Sequence, residues 1–381
     1  MSDLPIYLDH HSTTPCDARV VERMLPYFTL DFGNPAAVTH VHGRRAATAL
    51  EEARASIAGF FCVRPSEIYI TSSATESNNI ALEGSRIAAG RHVISSAIEH
   101  KSILEPLRRL ERRGVEITLL KPDADGFYSA DQVAGALRPS TELVTIMAAN
   151  GEIGSIQPID EIAAVCRERG VRFHTDATQA AGKTPLDFSS IEADSFSISG
   201  HKFYGPKGVG ALFMRRGRRV EPITMGGGQE RNVRSGTVNV PGVIGMAAAL
   251  ELCAAGMTDE INRLTMLRNN LWDRLVAEIP GVEINGPREG RLAGNLNASF
   301  ARIESDALIM AMRRFSLSSG SACSSGEHDV SQTLKAIGCD DARAFGSIRF
   351  GLGRSNTAEQ LDLLVQDLKR SVSRLREISA A

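Results

Sequence analysis

Apolar and polar positions follow two different periods between about residue 42 and residue 216. One stripe places apolar side chains at Ala46, Leu50, Ala53 and Ile57, the spacing of a helix with one buried face. Helical segments such as KSILEPLRRLERRG, SADQVAGALR and IDEIAAVCRERG separate short segments that predict strands, namely EIYIT, HVISS, VEITLL, LVTIMAA, VRFHTDA, SFSIS and VGALFM. This alternation predicts an α/β fold with a mainly parallel seven-stranded sheet, whose ligands bind at the carboxyl ends of the strands.

The pattern changes near residue 256. The segment MTDEINRLTMLRNNLWDRLVAEI predicts a long amphipathic helix, and LNASF and SIRFGLG are short strand candidates after it. A second amphipathic helix closes the chain, and Thr357 and Gln360 have the spacing of a capping box at its start. We therefore expect two domains, a large one at 13–255 and a smaller α/β one made of 1–12 and 256–381.

Composition narrows the function classes. The chain has 381 residues, 43 of them basic and 45 acidic, and this balance argues against a nucleic-acid binder. No apolar run reaches the roughly 18 residues of a membrane span, and the start MSDLPIYLDHHSTTP lacks the pattern of a secretory signal. The six cysteines are scattered and none has CxxC spacing, so we expect no metal site and no disulfide framework. Free thiols of this kind are typical of a cytoplasmic protein.

Two predicted strands end in polar residues that could act together. Asp176 ends the first, and Ser199, Gly200, His201 and Lys202 follow the second. Neighbouring parallel strands would bring Asp176 and Lys202 to one edge of the sheet. Pyridoxal phosphate needs such a pair, because a lysine amine forms its Schiff base and a carboxylate keeps its pyridine nitrogen protonated. The alternative is that both residues simply cap strand ends at the surface.

A third strand leads into a possible phosphate site. In YITSSATESNNIALEG, the strand ends in a small-residue turn and a helix begins near Ala74 or Thr75. Free N–H groups at a helix start bind phosphate, helped by the helix dipole. The alternative is an ordinary N-cap by Ser73 or Thr75, with Glu76 favoured by the dipole.

Three further side chains have chemistry that fits such a site. His100 follows a strand end and could transfer protons. Cys323 lies in the Ser/Gly-rich segment RFSLSSGSACSSGEHDV, where an exposed thiol is unusual unless it reacts. Arg349 could hold a substrate carboxylate by two parallel hydrogen bonds. Each also has a plain structural alternative: a structural histidine, an incidental cysteine and an ion-paired arginine.

Taken together, these segments resemble the NifS/IscS-type (class I) cysteine desulfurases, within the aminotransferase class V group of fold-type I pyridoxal phosphate enzymes. The resemblance covers nearly the whole chain and keeps the order of the family's motifs. The matching segments are YLDHHSTTP, FGNPAAVTH, TSSATESNN, EHKSIL, TDATQAAGK, SGHKFYGPKG, GGGQERNVRSGT, SSGSACSS and SIRFGLGR.

The resemblance implies a role for each matching residue and an obligate homodimer with shared active sites. Lys202 would form the Schiff base and move protons, and Cys323 would take the sulfur of L-cysteine as a persulfide while alanine leaves. The extended SSGSACSS segment goes, in the family, with delivery to a scaffold protein for iron–sulfur clusters. The other implied roles are Asp176 at the pyridine nitrogen, His100 stacked on the ring, Gln179 near the ring hydroxyl, Ala74, Thr75, Ser199 and His201 at the phosphate, Thr237 at the phosphate of the other subunit, and Arg349 with Asn150 at the substrate.

The chain departs from the family pattern in the segment AANGEIG. Gly151 stands where the family has a second asparagine that touches the ring hydroxyl, and glycine has no side chain to donate. A lost hydrogen bond of this kind is worth roughly 0.5–1.5 kcal/mol. We expect weaker tuning of the cofactor, with Asn150 or a water as a substitute donor. Smaller departures are Ser73 for glycine, Ala37 for serine and Val330 for proline.

Two other classes of function stay open at this point. One is a different fold-type I enzyme, such as an aminotransferase, a selenocysteine lyase or a kynureninase-like hydrolase, and Cys323 discriminates against it. The other is a non-catalytic relative that keeps the fold as a partner-binding protein. The sulfur acceptor also stays open, because tRNA thiolation, molybdenum cofactor synthesis and DNA phosphorothioation use similar donors.

Overall fold

The computed structural model of the protein describes residues 4–319 and 330–380. The strands of this part of the chain are β1 (Ile6–Tyr7), β2 (Ile68–Thr71), β3 (His92–Ser96), β4 (Glu116–Leu120), β5 (Thr141–Thr145), β6 (Arg172–Asp176), β7 (Ser195–Ser199), β8 (Gly210–Met214), β9 (Val282–Asn285), β10 (Asn295–Phe300), β11 (Phe315–Ser316) and β12 (Ser347–Gly351). The helices are α1 (Ala18–Met24), α2 (Pro26–Thr29), α3 (Val41–Phe60), α4 (Ala74–Glu83), α5 (Lys101–Glu111), α6 (Ala130–Ala136), α7 (Ile159–Glu168), α8 (Val240–Glu278), α9 (Ser305–Ala311), α10 (Gln332–Ala336), α11 (Asp341–Phe345) and α12 (Ala358–Ala380).

The large sheet has seven strands in the order β2-β8-β7-β6-β5-β3-β4. Six of them run in one direction, and β8 is antiparallel to both of its neighbours. The predicted mainly parallel α/β sheet is therefore confirmed, although β5 ends earlier than the segment LVTIMAA suggested. In the register of β6 and β7, Asp176 lies beside Ser197, so both strands end at the same edge.

A cluster of aromatic side chains packs on the face of this sheet that carries helix α3. Phe196 of β7 stacks between Phe188 and Phe213, with ring centroids 3.8 and 4.8 Å away. Phe61, just after α3, packs on Phe196 at 4.9 Å. Such pairs contribute about 0.5–1.5 kcal/mol each beyond the area that they bury. They fix β7, and with it the turn that carries Lys202, against the body of the fold.

A second core lies around the antiparallel sheet β12-β10-β9. It is filled by apolar side chains of these strands, of α12 and of the carboxyl-terminal half of α8. Leu8, next to β1, belongs to it, and β1 pairs with β11. The N-terminal segment therefore packs with the carboxyl-terminal part of the chain, as the predicted division into 1–12 with 256–381 requires; the domain boundaries themselves stay a prediction.

Helix α8 joins the two cores. It is longer than predicted, because it begins at Val240 rather than near residue 257. Its first half is buried among apolar neighbours and so lacks the polar face by which amphipathic helices are recognised. By length and composition alone it is the one helix of the described residues that could cross a membrane, and 56% of the relevant window is buried inside the fold.

The predicted capping box at the start of α12 is present. The Gln360 N–H donates to Oγ1 of Thr357 at 3.4 Å, and the Thr357 N–H donates to Oε1 of Gln360 at 3.3 Å. Each of the two side chains thus accepts the backbone N–H of the other residue. Helix α12 therefore begins where the sequence predicts.

Candidate active site

Lys202 and Asp176 lie at the carboxyl ends of adjacent strands. Lys202 ends the short 3₁₀ turn Gly200–Lys202 directly after β7, and Asp176 is the last residue of β6. The Lys202 Nζ donates to the carbonyl oxygens of His11 at 2.9 Å and Ser12 at 2.7 Å. The N-terminal segment therefore forms one wall of the site and holds the amine by backbone acceptors.

Asp176 is buried and is held by two donors. Its Oδ1 accepts the Thr178 N–H at 2.9 Å, and its Oδ2 accepts from Nδ2 of Asn78 at 2.8 Å. Because the Asn78 amide nitrogen faces Asp176, its oxygen must accept from Nε2 of His174, 3.2 Å away. Burial lowers the pKa of His174 to about 4, so this ring is neutral and carries its hydrogen on Nε2.

A chain of hydrogen bonds connects Asp176 with His100. Asn78 also donates to Oγ of Ser102 at 2.8 Å, and Ser102 Oγ lies 2.8 Å from Nδ1 of His100. Since Ser102 Oγ accepts from Asn78, its own hydrogen can be donated to His100 Nδ1. The Ser102 N–H reaches the same nitrogen at 3.1 Å, so His100 caps α5 and is fixed in orientation, although its side chain is exposed. Asn78 and Ser102 were not predicted as site residues, although they lie in the matching segments TSSATESNN and EHKSIL.

The start of α4 is capped as the alternative interpretation expected. Ser73 Oγ accepts the Glu76 N–H at 3.3 Å, and the Glu76 carboxylate accepts the Ser72 N–H at 2.5 Å. Capping leaves the N–H groups of Ala74 and Thr75 at the first turn, and Thr75 is exposed. A Cβ at Gly210 would lie 2.6 Å from the Ser73 carbonyl carbon, so glycine there lets β8 and this turn approach closely.

The two remaining phosphate candidates near Lys202 are Ser199 and His201, and His201 is only partly buried. Ser199 is buried at the end of β7. His201 is tied to the N-terminal segment, because its Nδ1 lies 3.0 Å from Oγ1 of Thr13 and its carbonyl accepts the Thr14 N–H at 2.9 Å. Burial, with the charge of Lys202 adding to it, lowers the pKa of His201 to about 4 and keeps the ring neutral. Thr237 is exposed and follows the turn Glu230–Asn232.

Arg349 of β12 points into the same region from the second core. Its Nη2 donates to Oδ1 of Asp9 and to Oγ of Ser12, both at 2.7 Å, and its Nη1 donates to the Gly151 carbonyl at 3.2 Å. Its buried Nε has no partner among the described residues. Arg349 is thus both ion-paired, as the structural alternative held, and incompletely satisfied.

Gln179 lies across Gly151. Its Nε2 donates to the His11 carbonyl at 2.9 Å, its Oε1 accepts from Lys183 Nζ at 2.9 Å, and a Cβ on Gly151 would be 2.6 Å from Nε2. Asn150 is occupied differently: its side chain donates to the Ile98 carbonyl and accepts the N–H groups of Glu152 and Ile153. Those bonds shape the turn, and the assignment of Asn150 to the substrate stays a prediction.

Two titratable groups beside the site, the partly buried Lys183 and the buried Glu99, were missed by sequence reasoning. Burial lowers the pKa of Lys183 to about 7, with the charges of Lys202 and Arg349 adding to it. Burial raises the pKa of Glu99 to about 8, with the charge of Asp176 adding to it. Neither follows from local sequence, since each shift arises from neighbours distant along the chain. Cys323 lies outside the described residues.

Comparison with known proteins places this geometry in a family. The chain matches the family described as aminotransferase class-V over residues 6–364. It is 46% identical over 381 residues to the cysteine desulfurase IscS of Anaeromyxobacter dehalogenans, covering 99% of this chain and 94% of that protein. It is 47% identical over 380 residues to the mitochondrial cysteine desulfurase of Drosophila melanogaster, covering 98% of this chain and 82% of that one.

Solved structures agree. A NifS-like protein has a TM-score of 0.90 at 34% identity, covering 97% of this chain and 100% of that one. SspA in complex with cysteine has a TM-score of 0.80 at 35% identity, covering 91% of this chain and 98% of that one. These likenesses confirm the predicted fold-type I architecture. The chain belongs to the aminotransferase class-V family and, within it, to the cysteine desulfurases.

Proposed function

We propose that this enzyme uses pyridoxal phosphate to convert L-cysteine to L-alanine and places the sulfur on Cys323 as a persulfide. The observation that carries the proposal is the pairing of Lys202 with Asp176 at adjacent strand ends, in a chain 46% identical to a curated desulfurase. A solved relative bound to cysteine supports the substrate.

The donor set fits pyridoxal phosphate. Asp176 is a buried carboxylate whose two donors orient it, which suits a protonated ring nitrogen. The first-turn N–H groups of Ala74 and Thr75, the Ser199 hydroxyl and the neutral His201 ring suit a phosphate. The close approach of β8 to the Ser73 turn, permitted by Gly210, forms the floor of that cradle. Thr237 would be supplied by the partner subunit.

When bound, the cofactor supplies an electron sink for the substrate's α-carbon. Three residues of the chain have separate roles in the reaction. Lys202 binds the cofactor and carries a proton at Nζ. His100, oriented through Ser102 and Asn78, would contact the cofactor. Arg349 binds the substrate carboxylate, which takes the place of the Asp9 carboxylate at Nη2 and offers an acceptor to Nε.

The sulfur step needs no outside oxidant. The Cys323 thiolate attacks the substrate sulfur, and an S–S bond forms as the Cβ–S bond breaks. The carbon keeps the electron pair of the broken bond and takes up a proton, so it leaves as the methyl group of alanine. The sulfane sulfur then passes to an acceptor, for which we propose an iron–sulfur scaffold protein.

A homodimer in a reducing compartment completes the proposal. Leu25, Phe28, Leu30 and Phe32 are each more than half exposed, and a row of large apolar side chains on a surface is typical of an interface. The exposed Thr237 fits the same arrangement, in which each subunit contributes to the other's phosphate site. The described cysteines are free thiols, which supports a cytoplasmic location.

The test is release of sulfide and alanine from L-cysteine by the cofactor-loaded protein in the presence of a thiol reductant. Wild type should give equal amounts of both, Cys323→Ala should give neither, and Cys62→Ala, which removes an exposed thiol, should match wild type. Full activity of Cys323→Ala would indicate a different fold-type I reaction. A protein that gains no visible absorbance with pyridoxal phosphate would be the non-catalytic relative.

A further inference from the structure

Two lysines of the site are joined by one hydrogen-bonded bridge. Lys183 Nζ donates to Gln179 Oε1 at 2.9 Å, and Gln179 Nε2 donates to the His11 carbonyl at 2.9 Å. The same carbonyl accepts from Lys202 Nζ at 2.9 Å. The path from one amine to the other thus crosses only a side-chain amide and a shared backbone acceptor.

The bridge has one possible orientation. A carbonyl oxygen can only accept, so Gln179 must turn its NH₂ to the His11 carbonyl and its oxygen to Lys183. His11 Nδ1 lies 3.3 Å from the same Gln179 oxygen and must therefore carry a hydrogen. Burial holds the pKa of His11 well below its usual range, so the ring is neutral. An amide fixed on both sides in this way cannot rotate without losing three contacts.

Glycine at position 151 is what admits the bridge. A Cβ there would lie 2.6 Å from Nε2, 2.8 Å from Cδ and 3.0 Å from Cγ of Gln179. The first two distances are shorter than atomic contact allows and the third is tight, so a Cβ at 151 and Gln179 in its present position exclude each other. We therefore expect a larger residue at 151 to displace the end of the Gln179 side chain from its contacts with Lys183 and His11.

Lys183 faces mostly cationic or neutral groups. Desolvation lowers its pKa to about 7, and Lys202 and Arg349 lower it further, while two groups of α8 oppose the shift. Lys183 therefore loses its proton, and with it its charge, near neutral pH. The neighbouring amine is that of Lys202, which acts on the substrate in the proposed reaction. The titratable groups that face Lys183 are Lys202 and His201 of the 3₁₀ turn, Arg349 of β12, Cys253 and Glu260 of α8, and His10 and His11 of the N-terminal segment.

We propose that Lys183 is a positioning residue that fixes Gln179 and couples its own charge to Lys202, and that Gly151 is the feature of this chain that permits the coupling. The inference rests on the proposed function, since the coupling acts on the reaction only through a cofactor bound to Lys202. It explains how the site tolerates a missing side chain at 151: the space is filled by Gln179.

The test is a pH titration of the visible absorbance of the cofactor-loaded protein, without substrate. Lys183→Met removes one cation near Lys202, so the midpoint should rise by about one pH unit. Lys183→Arg keeps a charge at every pH, so its midpoint should lie at or below that of wild type. Equal midpoints for wild type and Lys183→Met would overturn the proposal.

The role of Gly151 is tested in the same titration. Gly151→Ala should displace Gln179 and shrink the shift caused by Lys183→Met. Gly135→Ala is the matched control, because a Cβ at Gly135 meets nothing within 4 Å. An undiminished shift in the Gly151→Ala background would show that the bridge does not carry the coupling.

A second measurement works on the cofactor-free protein. Acylation of Lys183 by acetic anhydride, followed by mass spectrometry across pH, reports where its amine loses the proton. Lys202→Met removes a neighbouring cation and should raise the pH at which acylation of Lys183 is half-maximal. An unchanged pH would contradict the coupling between the two lysines. If pyridoxal phosphate never binds, the proposed function fails, while this measurement still decides the inference.

Discussion

Two buried arginines of this protein are held in contrasting ways. Arg54 forms a two-pronged pair with Glu230, with both N–O distances at 2.8 Å, and also donates to the Ile68 carbonyl at 2.9 Å. Arg349 binds Asp9 through a single nitrogen, and its Nε has no partner among the described residues. The side chains of the first pair are 4% and 3% exposed, and those of the second 8% and 17%. The comparison indicates that Arg54 is satisfied by the fold itself, whereas Arg349 keeps hydrogen-bonding capacity for a ligand.

The Arg54 pair also holds an unfavourable backbone conformation in place. Glu230, Arg231 and Asn232 have φ values of 46°, 55° and 64°, a left-handed turn without glycine. Such residues cost roughly 1–3 kcal/mol each and persist only where neighbours fix them. Glu230 supplies that fixation, since its Oε2 accepts both from Arg54 and from the Ile70 N–H at 2.7 Å. The turn leads to Thr237, so the pair serves the candidate phosphate site from a distance.

The largest expected effect is on stability at the Arg54 pair. Glu230→Ala leaves the buried guanidinium with only the exposed Glu51 carboxylate, which contacts Nε at 3.1 Å, so we expect the free energy of unfolding to fall by about 3 kcal/mol. Urea denaturation measures it. Glu221→Ala breaks an exposed pair with Arg86 and should cost at most about 1 kcal/mol. Similar losses in both variants would contradict the distinction between buried and exposed pairs.

The next effect is on catalysis at Arg349. Arg349→Ala removes charge-assisted hydrogen bonds to the substrate carboxylate, so kcat/KM for L-cysteine should fall by about 100-fold or more, roughly 3 kcal/mol. Stability should change less than in Glu230→Ala, because the Asp9 carboxylate left behind can reach water. Arg349→Lys keeps the charge but loses the planar guanidinium, so its kcat/KM should lie between those of wild type and Arg349→Ala. Steady-state kinetics with an unchanged kcat/KM would remove Arg349 from the substrate site.

The contrast between these arginines also shows what the sequence could predict. Arg349 was identified from the motif SIRFGLGR, and Asp176 and Lys202 from the rule that parallel strands end at one edge of a sheet. Arg54 and Glu230 could not be identified, because they are far apart in the chain and each lies in a segment with an ordinary local pattern. The link from Asp176 through Asn78 and Ser102 was missed for the same reason: it depends on how α4 and α5 pack. The first half of α8 escaped prediction because burial on all sides removes the periodic signal.

A third buried titratable side chain, Glu99, sharpens the comparison because no cation of the described residues pairs with it. Its Oε1 accepts from Ser96 Oγ at 2.9 Å and from the Met147 N–H at 2.7 Å, and Oε2 has no partner among the described residues. Burial and the charge of Asp176 raise its pKa from 4.5 to about 8. A carboxyl group in this position stays protonated at neutral pH instead of paying for an unpaired charge.

The sign of the resulting pH dependence follows from proton binding. Between pH 4.5 and about 8 the folded protein holds a proton on Glu99 that the unfolded chain releases. Stability from this group is therefore full below pH 4.5 and is lost as the pH rises toward 8, by up to about 1.4 kcal/mol per unit. Glu99→Gln keeps the Oε1 acceptor but cannot titrate. Urea denaturation gives the free energy of unfolding at pH 5 and at pH 7. The loss of unfolding free energy between these two pH values should be about 2 kcal/mol smaller in Glu99→Gln than in wild type. Glu105→Gln alters an exposed carboxylate and should leave the wild-type difference intact. Equal pH differences in wild type and Glu99→Gln would mean that Glu99 is ionised in the fold, and buried charge here would then not require a partner.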